Sequence, residues 1–414
     1  MLILNRIVLS FFLIFLFLLN TLYSKEIILE HTDSLKTEYN PVDSNLITYL
    51  MGHVRIRQDN IVLISNFLKY EKKSDFFFLK DSVRIIKYDK MGKVVVDYFE
   101  ADSMLYYKQK RLIKAKGNIF GYIEDTTMIL KSDSIEYDLN KEIGYIWKNP
   151  KVIFIDKDSF FLMGKEIFIN KKNSYIEVYD SSTFYDKDLR TYSDTIRYYL
   201  KGDSIYFKGS NSPYILTPTD SITSKFIIGY FNRKTRTLDS LKLFKNVYVN
   251  SKNDSLIYIL TGDFMRINFK NSNINNVLII GEIKGNYKRI KRDSLIEYGD
   301  FFGDTLNISL LDSNIIKNII IKKNVVYYLY TNENIDKKNY FKGEEAFIDF
   351  ENNNINILKV YVQAELGIYK IEKKVEWLNI VTCDSFFVKF KESKPIKMNL
   401  EGAIEGKIIK IKRN

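Results

Sequence analysis

The sequence has little of what catalytic and metal sites are made from. One cysteine, Cys383, and two histidines, His31 and His53, occur among 414 residues. A lone cysteine cannot form an internal disulfide, so stability must come from packing and from hydrogen bonds between strands. The histidines lack a metal-ligand spacing to each other or to Cys383, and there is no glycine-rich phosphate loop. The sequence therefore predicts no enzyme, no cofactor and no metal site.

Proline and glycine are also scarce, at 5 and 18 residues, and no linker-like tract separates globular domains. Tyrosine and phenylalanine are abundant instead, at 30 and 29 residues. Together with isoleucine and valine they alternate with polar residues, a pattern typical of strands rather than helices. The sequence therefore predicts an all-β protein.

The one long apolar run lies at the N-terminus. Arg6 is the only charged residue before Lys25, and residues 7–19 are apolar almost throughout. This run is shorter than the roughly 20 residues of a membrane-spanning helix. The order of charge, apolar run and small residue is that of a secretory signal peptide, so we expect cleavage after Ser24. An uncleaved inner-membrane anchor is the alternative.

The formal charge is +12, with lysine and aspartate interleaved along the whole chain. A nucleic-acid-binding protein would gather its basic residues in a patch or stripe, and an exported chain would not meet nucleic acid. The pattern favours solvated strand faces, with attraction to anionic lipid or polysaccharide as the alternative.

A tandem repeat runs along the chain. Its first signature is a small residue, a polar and usually acidic residue, any residue, and an apolar residue that recurs two positions on. Nine copies begin at Ser65, Ala101, Ser132, Gly164, Gly202, Gly262, Gly303, Gly343 and Cys383. A degenerate copy begins at Ser224, and Ser193 offers a second register beside Gly202, so the register between residues 190 and 262 is open.

A second signature, a turn-type residue before a β-branched one, falls 17 to 21 residues after the first, as from Asp102 to Ile119. We expect each half-repeat to hold two ordinary strands and two turns, joined antiparallel. The recurrent Asp-Ser dipeptides, such as Asp102-Ser103, look like paired catalytic groups. Their periodicity predicts turn and strand-entry residues instead, and disfavours Ca²⁺ ligands.

These signatures resemble the OstA/LptA-like family of periplasmic lipopolysaccharide-transport proteins. The resemblance is carried by Gly52–Val54, Ala101–Tyr106 and Ser132–Tyr137. It divides the chain into a signal peptide (1–24), a lead-in (25–43), an OstA/LptA-like β-jellyroll (44–210) and more divergent repeats (211–414).

The resemblance implies an elongated open β-jellyroll, or β-taco, of tandem antiparallel strand repeats. Its apolar groove would hold the acyl chains of lipopolysaccharide or a similar glycolipid. Its end strands would join other jellyroll subunits and the outer-membrane assembly barrel. On motif position the groove-lining candidates are Met104, Tyr106, Ile135, Tyr137, Ile167, Ile169, Ile205, Phe207, Met265 and Ile267.

The chain would then be a non-catalytic periplasmic bridge. It ends without a run of long amphipathic strands, so we do not expect it to be the outer-membrane barrel itself. Two other classes stay open. One is a structural or adhesive cell-surface β-solenoid. The other is a polysaccharide-acting β-helix enzyme, because any two of the 51 acidic residues could converge.

Overall fold

The computed structural model describes most of the chain beyond the N-terminal apolar run. The described residues are 27–42, 44–89, 95–123, 128–155, 160–186, 189–201, 204–208, 213–231, 238–252, 256–270, 273–291, 294–311, 315–330, 338–351, 354–372, 375–391 and 394–411. The predicted signal peptide lies outside them. Over these ranges the chain forms 28 strands and no helix. The described residues thus contain no helix long and apolar enough to cross a membrane.

The chain divides into two compact units, residues 1–173 and 174–414. The predicted change to divergent repeats at residue 211 stays a prediction. The strands of unit 1 are β1 (Ile28–His31), β2 (Ser34–Asn40), β3 (Asn45–Gln58), β4 (Ile61–Glu71), β5 (Phe76–Tyr88), β6 (Val95–Tyr107), β7 (Leu112–Ile123), β8 (Met128–Asp138), β9 (Ile143–Trp147), β10 (Lys151–Phe154), β11 (Phe160–Met163) and β12 (Glu166–Asn170).

Each long strand of unit 1 pairs antiparallel with the next and is bent near its middle. In β3 the bend is Gly52-His53, where φ is +75° and +44°. The pairing with β4 jumps there from Met51↔Phe67 to Val54↔Ser65. Two residues of β3 thus face one of β4, which is a β-bulge, and a bulge bends a strand without ending its ladder. We call each bend a corner and the straight halves arms.

Corners recur at one level of the sheet. Pairs of residues with positive φ mark them at Gly52-His53, Asp81-Ser82, Gly117-Asn118 and Lys148-Asn149. The arms therefore form two walls that share one folded edge. Wall A contains residues 45–51, 67–71, 76–80, 103–107, 112–116, 134–138, 143–147 and 166–170. Wall B contains residues 54–58, 61–64, 83–88, 95–100, 119–123, 128–131, 151–154 and 160–163.

Hairpin turns run along the free rim of each wall, opposite the folded edge. We call the gap between the two rims the mouth. Side chains alternate along each arm, so one set points between the walls and the other points to solvent. The inward set is apolar: Val54, Leu79, Val83 and Leu130 are each at most 1 % exposed. The core of unit 1 is therefore the layer between its walls.

Unit 2 is built by the same rule. Its strands are β13 (Tyr175–Asp186), β14 (Leu189–Tyr199), β15 (Ser204–Lys208), β16 (Tyr214–Leu216), β17 (Asp220–Thr223), β18 (Phe226–Phe231), β19 (Leu238–Lys252), β20 (Leu256–Lys270), β21 (Asn273–Lys291), β22 (Ser294–Leu310), β23 (Ile316–Tyr330), β24 (Lys338–Glu351), β25 (Asn354–Glu372), β26 (Val375–Lys391), β27 (Lys394–Glu401) and β28 (Glu405–Ile411). Its positive-φ corner pairs are Asp180-Ser181, Lys245-Asn246, Lys323-Asn324 and Val362-Gln363.

The predicted fold class, an all-β jellyroll of tandem antiparallel strands, is confirmed. The composition of the half-repeat was predicted wrongly. It is one bent strand and one hairpin, because a bulge replaces one of the two expected turns. The Asp-Ser dipeptides correspondingly lie inside strands: Asp102-Ser103 sits within β6 and Asp133-Ser134 within β8.

The structure also resolves the open register in unit 2. Ser193 Oγ donates to the Thr195 carbonyl at 2.9 Å and Ser224 Oγ to the Phe226 carbonyl at 2.9 Å. Ser65 and Ser132 make the same bond at their corners. Ser193 and Ser224 are therefore corner copies. The first two residues of the copy aligned at Gly202 lie outside the described residues; its apolar position, Ile205, pairs with Tyr198 near the start of β15.

Candidate functional site

The corners bring the two sequence signatures together in space. Asn118 Nδ2 donates to Asp102 Oδ2 at 3.0 Å, and Asn149 Nδ2 to Asp133 Oδ2 at 3.2 Å. A Cβ on Gly117 would overlap the Asp102 carboxylate. The acid of one strand therefore covers the bulge of the next. This contact gives the acidic position a structural role at the corner.

The small residue that opens the first signature lies inside the fold. Ser65 is 1 % exposed, Ala101 7 %, and Cys383 5 %. Burial, and then the charge of Asp384, raise the pKa of the Cys383 thiol, so the thiolate is disfavoured. Cys383 is accordingly a packed residue at the folded edge of unit 2.

The six predicted groove residues of unit 1 all point between the walls. Each is at most 4 % exposed, and every one lies on wall A: Met104, Tyr106, Ile135, Tyr137, Ile167 and Ile169. They share a wall because, in each of these copies, the apolar positions of the first signature lie in the arm that runs from the corner into wall A. That they touch lipid stays a prediction.

The sequence reasoning missed the opposite wall. Phe99 of wall B lies 6.3 Å from Tyr137 of wall A, measured between ring centroids. Wall B is equally apolar inside, with Ile56, Ile85 and Leu162 at most 2 % exposed. A signal was present, because the β-branched residue of the second signature is the first inward residue of four of the eight wall B arms: Val54, Val83, Ile119 and Val152.

A small cavity marks where the walls of unit 1 meet. It is lined from both walls, by Phe99, Glu100, Met104, Ile113, Ala115, Ile119, Ile135 and Tyr137, and its volume is about 10 Å³. A cavity of that size holds about one water molecule. A ligand larger than a water molecule would fit at this point only if the walls moved apart.

The inward face of unit 1 turns polar beside the mouth. Tyr106 Oη donates to Gln58 Oε1 at 2.5 Å, joining wall A to wall B. Both are buried, at 1 % and 6 % exposure. Burial raises the pKa of Tyr106 to about 12, so its hydroxyl stays protonated at neutral pH.

The interior of unit 2 is apolar in the same way. Its four predicted groove residues, Ile205, Phe207, Met265 and Ile267, are each at most 3 % exposed. Phe184 meets Phe207 edge to face at 5.9 Å between ring centroids, one ring from each side of the corner level.

In the end strands, apolar residues that continue the inward faces of the walls are exposed. At the N-terminal end, Leu35 of β2 pairs with the buried Leu50 of β3 and is itself 56 % exposed. At the C-terminal end, Met398 of β27 pairs with the buried Val388 and is 40 % exposed. Directly paired residues share a sheet face. Each end therefore presents inward-type apolar side chains to solvent.

The two histidines meet at the N-terminal corner. His53 Nδ1 lies 2.8 Å from Asp33 Oδ2, and His31 Nε2 lies 3.2 Å from Asp33 Oδ1. Contact with His53, and then with His31, lowers the pKa of Asp33. All three are exposed, and Asp33 occupies the place that Asp102 takes at its own corner. Within the described ranges no group of three His, Cys, Asp or Glu residues could hold a metal ion.

Comparisons with known proteins add a family to this geometry. Residues 24–194 match the family model described as OstA-like protein, which confirms the OstA-like resemblance for that segment. A search of curated proteins found no match. Among solved structures one similar chain is LptH, described as the LptA homologous periplasmic component of the conserved lipopolysaccharide transport device from Pseudomonas aeruginosa. It is 14 % identical, with a TM-score of 0.24, over 25 % of this chain and 76 % of that one.

Proposed function

Taking residues 24–194 as an OstA-like segment, we propose that the protein is a non-catalytic periplasmic bridge in lipopolysaccharide transport to the outer membrane. Acyl chains of lipopolysaccharide, or of a similar glycolipid, lie between the walls. Neighbouring subunits join at the end strands, and the outer-membrane assembly barrel receives the lipid.

One observation carries the proposal: within each unit, walls lined by apolar residues share a folded edge but have separate rims. The corners hold the folded edge, since Asp102 covers Gly117 there. The arms can part at the mouth without breaking a ladder hydrogen bond. Apolar side chains between the walls, such as Ile135 and Ile85, would then contact methylene groups instead of one another. Burying an acyl chain stabilises the open form by roughly 0.8 kcal/mol per methylene.

The exposed ends support the joining of subunits. β1 and β2 pair with β3, and β27 and β28 with β26. An edge strand offers unpaired N–H and C=O groups, onto which a partner strand can add. Leu35 and Met398 would be covered by the same addition, so the apolar face would continue into the neighbour. The net charge of +12 suits an anionic glycolipid and anionic partners.

Depletion of the protein in growing cells tests this role. Newly made lipopolysaccharide is pulse-labelled, and the inner and outer membranes are separated. The proposal expects label to accumulate in the inner membrane. Unchanged arrival at the outer membrane would contradict it.

Location separates the bridge from the adhesive alternative. Protease added to intact cells should leave a periplasmic bridge uncut, and should cut it once the outer membrane is permeabilised. Cleavage in intact cells would instead support the cell-surface solenoid.

A further inference from the structure

Three polar links cross the mouth of unit 1. Tyr106 of wall A donates to Gln58 at the end of a wall B arm. Arg111 Nη1, in the hairpin after β6, lies 3.2 Å from Asp59 Oδ2, in the hairpin after β3. Lys171 Nζ, in the turn after β12, lies 2.9 Å from Asp97 Oδ1 and 3.2 Å from Oδ2 of wall B.

These polar groups stand where the apolar inward columns end. Gln58 follows Val54 and Ile56 on the inner face of β3, two residues apart each time. On β6 the column runs from Ala101 through Phe99 to Asp97 in the direction of the rim, and Asp97 is only 5 % exposed. Burying polar groups is unfavourable unless they are paired. A sequence that only needed a core could have continued both columns with apolar residues.

Other ion pairs in unit 1 are arranged differently. Lys114 and Glu136, 2.8 Å apart, sit opposite each other on neighbouring strands of wall A. Such a pair adds to a ladder that backbone hydrogen bonds already hold. The mouth links instead join segments that no ladder joins: Lys171 and Asp97 are 74 residues apart.

We propose that Gln58–Tyr106, Asp59–Arg111 and Asp97–Lys171 form a latch that holds the mouth of unit 1 shut. The latch parts when an apolar chain enters between the walls. Its use in lipid loading rests on the proposed function, but its existence does not, because opening can be measured without lipid.

The links differ in strength. Arg111 and Asp59 are partly solvated, with side chains 18 % and 36 % exposed, so water weakens their attraction. Lys171 and Asp97 are 11 % and 6 % exposed, which makes their pairing stronger and its loss more costly. Lys87 Nζ also lies 3.6 Å from Asp97. Asp97→Asn would thus leave two ammonium groups beside a neutral amide, and it is the most disruptive single change.

Thiol labelling measures the opening. In a Cys383→Ala background, Ile113→Cys reports on the mouth, because Ile113 pairs with Tyr106 and is 5 % exposed. Ala101→Cys reports on the folded edge, where the native residue is 7 % exposed. Each thiol is reacted with a maleimide in the folded, lipid-free protein, and the rate is recorded. Modification of a buried thiol follows the population of the open form.

Asp97→Asn should raise the labelling rate at position 113 roughly tenfold and leave position 101 unchanged. Glu136→Gln removes an ion pair within one wall and should change neither rate. Equal rates at position 113 in Asp97→Asn and Glu136→Gln would overturn the latch. Equal acceleration at positions 113 and 101 would overturn it too, since that pattern is general unfolding.

Discussion

Asp102 of β6 accepts a hydrogen bond from Asn118 of β7 at 3.0 Å, sixteen residues along the chain. The pair joins the acid of the first sequence signature to the turn residue of the second. The spacing of the two signatures is therefore the length of chain from one corner, round a hairpin, to the next corner. The same contact recurs between Asp133 and Asn149, so the two bends are held in the same way on the folded edge between the walls.

Gly117→Ala should destabilise the protein by about 1–3 kcal/mol, because φ is +78° and the new Cβ meets the Asp102 carboxylate. Gly406→Ala is the matched control, since nothing lies within 4 Å of its Cβ position. Urea unfolding should show a lower midpoint for Gly117→Ala alone. Equal midpoints would show that the corner tolerates a side chain.

Cys383 should accept small residues and reject large ones. Cys383→Ala should cost at most about 1.5 kcal/mol, because alanine fills the same position at residue 101. Cys383→Leu should cost about 1–3 kcal/mol through overpacking against Ala364, its partner on β25. The two are compared by urea unfolding. A leucine variant as stable as the alanine variant would contradict close packing at this edge.

Tyr106 should make stability fall at high pH. Its pKa rises from 10.0 to about 12 on folding, so the folded state favours the protonated phenol. The resulting stability is complete below pH 10 and is lost as the pH rises towards 12. Urea unfolding should therefore show that the free energy of unfolding falls less between pH 9 and pH 11 for Tyr106→Phe than for the native protein. An identical loss of stability in the two proteins would show that Tyr106 has the same pKa in the folded and unfolded states.

The N-terminal end strand should tolerate charge in the free protein but not in the assembled bridge. Leu35→Lys and Tyr39→Lys change residues that are 56 % and 62 % exposed, so stability should shift by less than about 0.5 kcal/mol. Cross-linking to neighbouring subunits in the cell envelope should fall. Lys36→Ala, on the opposite strand face, is the control. Unchanged cross-linking in the Leu35→Lys variant would contradict joining through β2.

The strands, the repeat and the inward residues of one wall could be predicted from the sequence, because alternation and spacing are local patterns. It was insufficient for the corners. Val362 has φ of +62°, a conformation that a β-branched residue rarely adopts, and no local rule places a bend there. Gly202 and Ser193 begin equally good copies of the signature, and only strand pairing shows that Ser193 lies at a corner.

The polar links across the mouth could not be predicted from the sequence either. Asp97 and Lys171 belong to different repeats and match neither signature. Their contact depends on how the two walls lean together, which is a property of the folded unit. The missed wall B is a milder case, because its first inward residues, such as Val54 and Val83, were recognised only as strand starts.

Photo-cross-linking at two adjacent residues of β8 tests the central claim most directly. A photoreactive amino acid replaces Tyr137, which is 4 % exposed and faces the interior, or Glu136, which points away from it. Cells carrying each variant are irradiated, and the purified protein is probed for lipopolysaccharide. We expect an adduct at position 137 and none at position 136. Adducts at position 136 alone, or equally at both, would contradict transport between the walls.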